Sequence, residues 1–426
     1  MKISSFIHIF DNRVWDALNK SFLELTPEEM EFIKNNKENM VDNNIPNHLI
    51  ELGIVTTYEK EKELFLKLKK QTTDTQFQSL YLITSTACNL NCDYCFYRSS
   101  ASGSLHKREN MKFDVAKEAL EQFKEIVKDN VKGEDYWQQI TFYGGEPLLN
   151  KELLHQAIPY SRKLFGNDTS LVINTNAILL EDNDIKLFKD NNVEVQVSLD
   201  GDEEKHDLHR KTHLGEPTYD IVINNMKRLL SNGVKVLPMI TATDDNIDNF
   251  SERVYKIVKE LGIDDYAVNV LISNSFNSSD DYPKKLAIEM LKAYRDFGNI
   301  ATDYSFVELY NRLTGEDKTI AKNSCGSSRK ITVFPDGNIY ACQAMEKLGV
   351  NNMGKLYEDY INNPNWIDWR NRSKFDNKEC QKCPCVTSCG GGCATGSYNC
   401  NQSINGLDKN NCEYTKRLFK QIHNIK

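Results

Sequence analysis

Cysteine placement constrains this chain more than any other feature. Of its 12 cysteines, three lie between 88 and 95, two more are Cys325 and Cys342, and seven fall between 380 and 412. None occurs from 96 to 324. A secreted disulfide scaffold is usually a small domain with thiols throughout. A chain of 426 residues with bunched thiols argues instead for metal or cluster ligation in a reducing compartment, which predicts a cytoplasmic location. The opening Met1 to Phe10 is briefly apolar but runs into Asp11, Asn12 and Arg13, with no small-residue cleavage site. No signal peptide is expected.

Composition narrows the partners. The net charge is -8, from 61 acidic and 53 basic residues. An acidic chain without a long basic run predicts no nucleic-acid partner. No apolar run is long enough to span a bilayer, so no membrane partner is expected. Hydrophobic residues at 40% and charged residues at 27% exclude a collagen-like or wholly disordered chain. The length predicts two or three domains.

Residues 1–75 carry no cysteine and read as a separate small α+β unit. Phe6 to Phe10 reads as a strand. Thr26-Pro27-Glu28-Glu29 is a capping box with proline at the first helical position, which predicts a helix from Pro27 to about Asn36. Pro46 to Gly53 reads as a short helix closed by glycine. Ile54 to Tyr58 reads as a second strand. A winged-helix-like module and an N-terminal helical cap on the next domain both fit this pattern.

From 76 to 318 the chain alternates β-rich runs with amphipathic ones. Strands are expected at Leu80 to Ser85, Ile140 to Tyr143, Leu171 to Thr175, Val193 to Leu199, Val234 to Thr241 and Ala267 to Ile272. Helices are expected at Phe113 to Val127, Lys151 to Leu164, Glu181 to Asp190, Tyr219 to Ser231 and Ile247 to Leu261. This alternation predicts an α/β fold with parallel strands and right-handed crossovers, a partial (β/α)6 TIM-like barrel. Its working residues should sit at the C-terminal ends of the strands. Residues 319–426 begin with a hairpin, Ile331 to Tyr340, around Pro335-Asp336-Gly337. After Cys380 come Gly390, Gly391 and Gly392 and few apolar residues. Such a segment cannot build an adequate core and points to an inorganic support.

Cys88, Cys92 and Cys95 follow the first expected strand directly, in a C-x3-C-x2-C spacing. Three thiolates can hold three irons of a [4Fe-4S] cube and leave the fourth iron open to a ligand. A closed zinc site would need a fourth donor, and His106 is the nearest histidine downstream. The motif resembles the signature of the radical S-adenosylmethionine (SAM) enzymes. Membership would imply that SAM chelates the open iron and that the reduced cluster cleaves it to methionine and a 5′-deoxyadenosyl radical.

Further elements resemble that family's SAM-binding residues. Gly144, Gly145 and Glu146 of Gly-Gly-Glu-Pro follow the second strand. There the glycines would let backbone approach a ligand and Glu146 would meet the methionine ammonium. Asn176, Ser198 and Asp200 end the third and fourth strands and would lie near ribose or methionine. Arg210 would bond the methionine carboxylate, and Tyr94 would pack against adenine. The histidines His206 and His209 read as surface or satisfied polar groups.

The C-terminal cysteines resemble the SPASM extension of the same family, which implies two auxiliary [4Fe-4S] clusters and three in all. By that resemblance Cys380, Cys383, Cys389 and Cys412 would hold the outer one, and Cys325, Cys342 and Cys393 the inner one. Cys385 and Cys400 are extra to the pattern. Either would complete the inner cluster, or its fourth iron would take a substrate thiol. A zinc ribbon would leave Cys325 and Cys342 unexplained. Sulfatase maturases carry an aspartate after the cysteine matching Cys342; here it is Gln343, which cannot take a proton at neutral pH.

The resemblance is to maturases of ribosomally made peptides, such as the thioether-forming sactipeptide and ranthipeptide synthases. It implies an oxygen-sensitive oxidoreductase whose partners are a precursor peptide and a small electron donor, a flavodoxin or ferredoxin. Residues 1–75 would bind the peptide's leader through an edge strand. Two alternatives stay open: oxidation of a protein side chain, as in sulfatase maturation, and an iron-sulfur electron carrier without SAM chemistry.

Overall fold

The computed structural model describes residues 1–37, 45–73, 76–97, 108–132, 136–273, 278–298, 302–322, 326–350 and 352–425. The chain divides into two compact units that do not follow the expected order of three domains. One comprises Asp74–Tyr304 and Gly326–Arg370; the other comprises Met1–Thr73, Ser305–Cys325 and Asn371–Lys426.

The larger unit is built on the expected βα alternation. Ser79–Ser85, Gln139–Gly144, Ser170–Thr175, Val193–Ser198, Val236–Ala242 and Asp265–Val270 pair with one another in sequence order, all parallel. Each lies within two residues of its expected ends. At one edge Thr302–Asp303 adds a parallel strand. At the other, Lys330–Val333 pairs parallel to Ser79–Ser85, and Asn338–Tyr340 and Asn352–Lys355 continue antiparallel. The strand order is linear from Thr302–Asp303 to Asn352–Lys355, so the sheet is open. The expected hairpin is therefore part of the main sheet. Gly337 at its turn has φ +80°, a left-handed conformation that favours glycine.

The longer helices of this unit bury an apolar stripe. Phe250–Leu261 shows why: Phe250, Val254, Ile257, Val258 and Leu261 recur at helical spacing and all are buried. This helix starts three residues later than Ile247. Asn249 turns left-handed, with φ +56°, and Thr243 and Asn246 close their own turn ahead of it. Glu203–His209 and Tyr282–Phe297 are helices that the sequence reading did not separate out. Among the described residues, no helix is long and apolar enough to cross a membrane.

The smaller unit starts with Lys2–Ile3 and a three-stranded antiparallel meander, Ile7–Phe10, Arg13–Asp16 and Ser21–Leu23. The helix Pro27–Asn36 follows, with the capping box of Thr26 and Glu29 formed as expected. The helix expected from Pro46 spans Asn47–Glu51. The strand expected over Ile54 to Tyr58 is only Val55–Thr56, paired with Lys2–Ile3. Thr57 caps a new helix, Tyr58–Thr72, and this ends the strand. Ile3, Ile7, Val14, Ile33, Leu49, Ile54 and Val55 form an apolar core.

This N-terminal part is not independent of the cysteine-rich segment. Trp15 is buried and its indole N–H donates to the Pro384 carbonyl at 3.0 Å. Its ring packs on Phe22, Phe419 and His423. Thr387 donates its hydroxyl to the Ala17 carbonyl. The meander thus buttresses the loop between Cys383 and Cys389.

Candidate functional site

The first cysteine loop leaves the C-terminal end of the central strand Ser79–Ser85. Cys92 is buried, and Cys88 and Cys95 are half-buried. The Leu90 N–H donates to the Cys88 sulfur at 3.4 Å, and the Asn176 amide reaches the same sulfur at 4.0 Å. Burial, reinforced by the Glu146 carboxylate, pushes the Cys88 thiol up to about 12. Burial pushes Cys92 up to about 11, against the pull of Arg210. Three crowded thiols, one buried and two half-buried, cannot ionise together without a positive group among them. An iron-sulfur cube supplies that charge, so the loop fits one. Among the described residues, no three His, Cys, Asp or Glu side chains converge on a single metal ion. A cube bridges a wider gap, because its irons stand at separate corners.

The Gly-Gly-Glu-Pro element lies against this loop. A Cβ on Gly144 would fall 2.2 Å from the Ser85 carbonyl oxygen, and one on Gly145 would fall 2.2 Å from that of Ala87. The Gly145 and Glu146 amides donate to those same two carbonyls, both at 2.8 Å. The glycines are required by the backbone that leads into Cys88. Glu146 is fully buried and accepts from Thr175 Oγ1 at 2.6 Å, the Asn176 amide at 2.8 Å and the Leu148 amide at 3.0 Å. Burial raises its pKa, and these three donors pull it back. Asn176 also donates to Asn89 Oδ1 at 2.9 Å, inside the cysteine loop.

Asp200 and Arg210 are paired with each other. Arg210 Nε and Nη2 donate to the two carboxylate oxygens at 2.8 and 3.1 Å. The Tyr94 hydroxyl donates to Asp200 as well, and the Arg210 guanidinium lies 5.4 Å from the Tyr94 ring centroid. Tyr94 is buried, and burial raises its phenol pKa well above the ordinary value. Ser198 closes its strand beside Met239. The site residues of the sequence reading in this unit therefore gather around the end of the parallel sheet.

The two histidines are buried. Asp93, between Cys92 and Tyr94, meets His209 Nδ1 at 2.9 Å, and His209 packs edge-on against Tyr94 at 5.5 Å. His206 Nδ1 accepts the Asp200 amide at 3.3 Å. Its Nε2–H therefore faces Thr218 Oγ1 at 3.0 Å, and that hydroxyl donates to the Arg210 carbonyl at 2.6 Å. Burial lowers His206 to about 4, so it is neutral near pH 7. Sequence reading missed the pin between Asp93 and His209. Its signal was an acid inside the cysteine loop and a histidine beside Arg210.

Cys325 lies outside the described residues, and Cys342 and Cys393 belong to different units. Cys342 is half-buried beside Gln343, whose Oε1 accepts from Lys330 Nζ at 2.9 Å.

In the smaller unit, Cys380, Cys383, Cys389 and Cys412 line one cavity. Cys385 lines it too, buried at 1% exposure, whereas Cys400 lies on the helix Ala394–Asn401. Gly391 and Gly392, with φ +81° and +71°, curl the chain around the cavity. Burial pushes Cys380 up to about 12 and Cys412 up to about 11. The neighbouring Cys385 thiol pulls the Cys383 thiol down, while Cys385 itself is pushed up. Lys374 and Lys416 also line the cavity. Burial lowers Lys374 to about 7, against the Cys389 sulfur. Burial would lower Lys416 as well, but Cys412 and Glu413 hold it above the ordinary lysine value. Four thiols around one cavity fit a second cluster. The signal for Lys416 was its place one helical turn after Cys412.

Residues 82–254 match the family model of the radical SAM superfamily. The radical SAM cyclopropyl synthase TigE of Paramaledivibacter caminithermalis is 23% identical over 97% of this chain and 89% of its own length. The cysteine-type anaerobic sulfatase-maturating enzyme of Clostridium perfringens is 25% identical over 72% of this chain and 86% of its own. The fold is similar to that of Streptococcus suis SuiB bound to its precursor peptide SuiA, with a TM-score of 0.58, 18% identity and coverage of 96% and 99% of the two chains.

Proposed function

The chain is a radical SAM enzyme, and from that premise we propose that it is a maturase of a ribosomally made peptide, removing hydrogen from the precursor and closing an intramolecular crosslink. The observation that carries the reading is the second cysteine-lined cavity in a chain that already has the Cys88–Cys92–Cys95 loop. An enzyme that only cleaves SAM needs one cluster. A further cluster suits a reaction that must also remove an electron.

Cys88, Cys92 and Cys95 would hold a [4Fe-4S] cluster, which together with SAM would supply a 5′-deoxyadenosyl radical for removal of the hydrogen. The protein's own part is positioning. Glu146 ties the ends of the second and third strands together. Asn176 fixes the loop beside Cys88. Asp200 orients Arg210, whose cation opposes the burial that raises the Cys92 thiol, and which would meet a carboxylate of SAM. Gly144 and Gly145 allow the close backbone packing that leads into Cys88, and Ser198 and Tyr94 would line the SAM site. The strand Ile7–Phe10 is an edge of its sheet, and leader binding by added-strand pairing would use it.

The proposed bond is a thioether from a cysteine sulfur to carbon. A carbon–carbon bond is the second reading, favoured by similarity to a cyclopropyl synthase along nearly the whole chain. Side-chain oxidation as in sulfatase maturation is supported by the shorter match to such an enzyme. It is disfavoured by Gln343, whose Oε1 is held by Lys330 and which has no basic site to accept a proton. The test is incubation of the reconstituted protein with SAM, reductant and candidate peptide under anaerobic conditions. Loss of two hydrogens with fewer alkylatable thiols supports a thioether. The same loss with every thiol free moves the bond to carbon or oxygen. No mass change in a peptide that retains its leader counts against peptide maturation.

A further inference from the structure

Residues 209–213 run antiparallel along the first cysteine loop and meet it at successive points. His209 Nδ1 stands 2.9 Å from each carboxylate oxygen of Asp93. The Asn91 amide donates to the Lys211 carbonyl at 2.8 Å. Leu90 and Thr212 form an antiparallel bridge. His213 donates its Nε2–H to the Cys88 carbonyl at 3.0 Å. The middle of this strap is thus joined through backbone, and each end through a histidine side chain. His209 is also anchored on its far side, where Nε2 meets Thr243 Oγ1 at 3.2 Å. Next to His213 the strap folds into its own turn. The Thr212 amide donates to the Glu216 carbonyl at 3.1 Å, and Thr212 Oγ1 donates to Glu216 Oε2 at 3.1 Å.

The strap carries Arg210, so the cation that would meet a carboxylate of SAM and the cysteines that would hold the cluster lie on two segments more than a hundred residues apart in sequence. Tyr94 and Arg210 both reach Asp200, which ties the segments at one point. One tie leaves them free to slide or splay; contacts at both ends fix their register. We propose that His209 and His213 are positioning residues, which clip the Arg210 segment to the cysteine loop and so raise the affinity of the site for SAM. The inference rests on the reading that Cys88, Cys92 and Cys95 hold a SAM-binding cluster, and it adds residues that this reading does not use. The two ends differ in kind. His209 is 4% exposed, so a lost contact there leaves a buried polar group. Asp93 and His213 are exposed, so either can be replaced without opening the core. A ligand held by two elements binds more tightly when they are already in register, because less ordering remains to be done on binding.

The experiment titrates SAM into the reconstituted, reduced full chain and follows the electron paramagnetic resonance of the cluster, with iron counted in each protein. The parent spectrum should change with SAM, and Cys88→Ala should abolish that change. A parent spectrum that ignores SAM fails the cluster reading and the proposal with it. Asp93→Ala and His213→Leu, each losing one end of the strap, should keep their iron and raise the dissociation constant for SAM about five- to tenfold. The KM for SAM in 5′-deoxyadenosine formation should rise with it, while kcat at saturating SAM stays near the parent value. Asp93→Asn keeps an acceptor for His209, and His213→Gln keeps an N–H for the Cys88 carbonyl, so both should return toward the parent affinity. His209→Asn, which keeps a donor toward Asp93, should do better than His209→Leu. Full iron with the parent's affinity in both Asp93→Ala and His213→Leu overturns the proposal alone. Loss of iron in both also overturns it, because the strap then serves cluster assembly rather than SAM binding.

Discussion

Glu146 shows how a residue recognisable in the sequence takes its meaning from packing. The Gly-Gly-Glu-Pro run was legible as a strand-end element, but the reason for its glycines was not. That reason lies in carbonyls of Ser85 and Ala87, about sixty residues away in sequence, which no local pattern contains. Replacing Gly145 with alanine places a methyl 2.2 Å from a backbone oxygen. The approach to Cys88 must then shift, at a cost of about 1–3 kcal/mol. Urea unfolding should show that loss, together with lower iron content; unchanged values in both would show that the loop yields freely. His206 gives a pH prediction. Its folded pKa of about 4 lies below the ordinary 6.5, so the unfolded state binds more protons between those values. Stability is full above about pH 6.5 and falls as pH drops toward 4, by up to about 3 kcal/mol. Buried His8, also lowered to about 4, adds in the same direction. His206→Gln, which retains the donor toward Thr218, should flatten the decline in melting temperature between about pH 7 and pH 5. An unaltered slope would mean that other groups carry it.

Elements with strong local signals were read well. Pro27–Asn36 carried its own capping box, and the longer helices of the larger unit carried apolar stripes. The meander was only partly legible. Its strands are three or four residues long, too short for alternation to declare itself. The helix Tyr58–Thr72 was missed because its charged face dominates, with three buried residues in fifteen. The meander's importance lies in Trp15. Trp15→Ala removes a fully enclosed ring and the bond to Pro384, and should cost about 3–5 kcal/mol. Iron bound by the Cys380–Cys412 cavity should fall with it. A loss under about 1 kcal/mol with full iron would contradict the buttress.

At the scale of the molecule, the three domains expected in sequence order are shared between two units, because residues 1–73 and 371–426 pack as one. Sequence order cannot reveal such a return of the chain, since the partners lie more than three hundred residues apart. One consequence is that deleting residues 1–73 should yield protein that is insoluble or poor in iron, rather than a truncated enzyme merely blind to a leader. A soluble, fully iron-loaded truncation would show the N-terminal part to be separable after all. The central claim is radical chemistry on a peptide. Its most direct test is the mass of a candidate cysteine-containing precursor peptide after anaerobic co-expression with this protein, set against a Cys88→Ala control. The account predicts loss of two hydrogens per crosslink with the intact enzyme and none with the control. An unmodified peptide from an enzyme that still converts SAM to 5′-deoxyadenosine would contradict it.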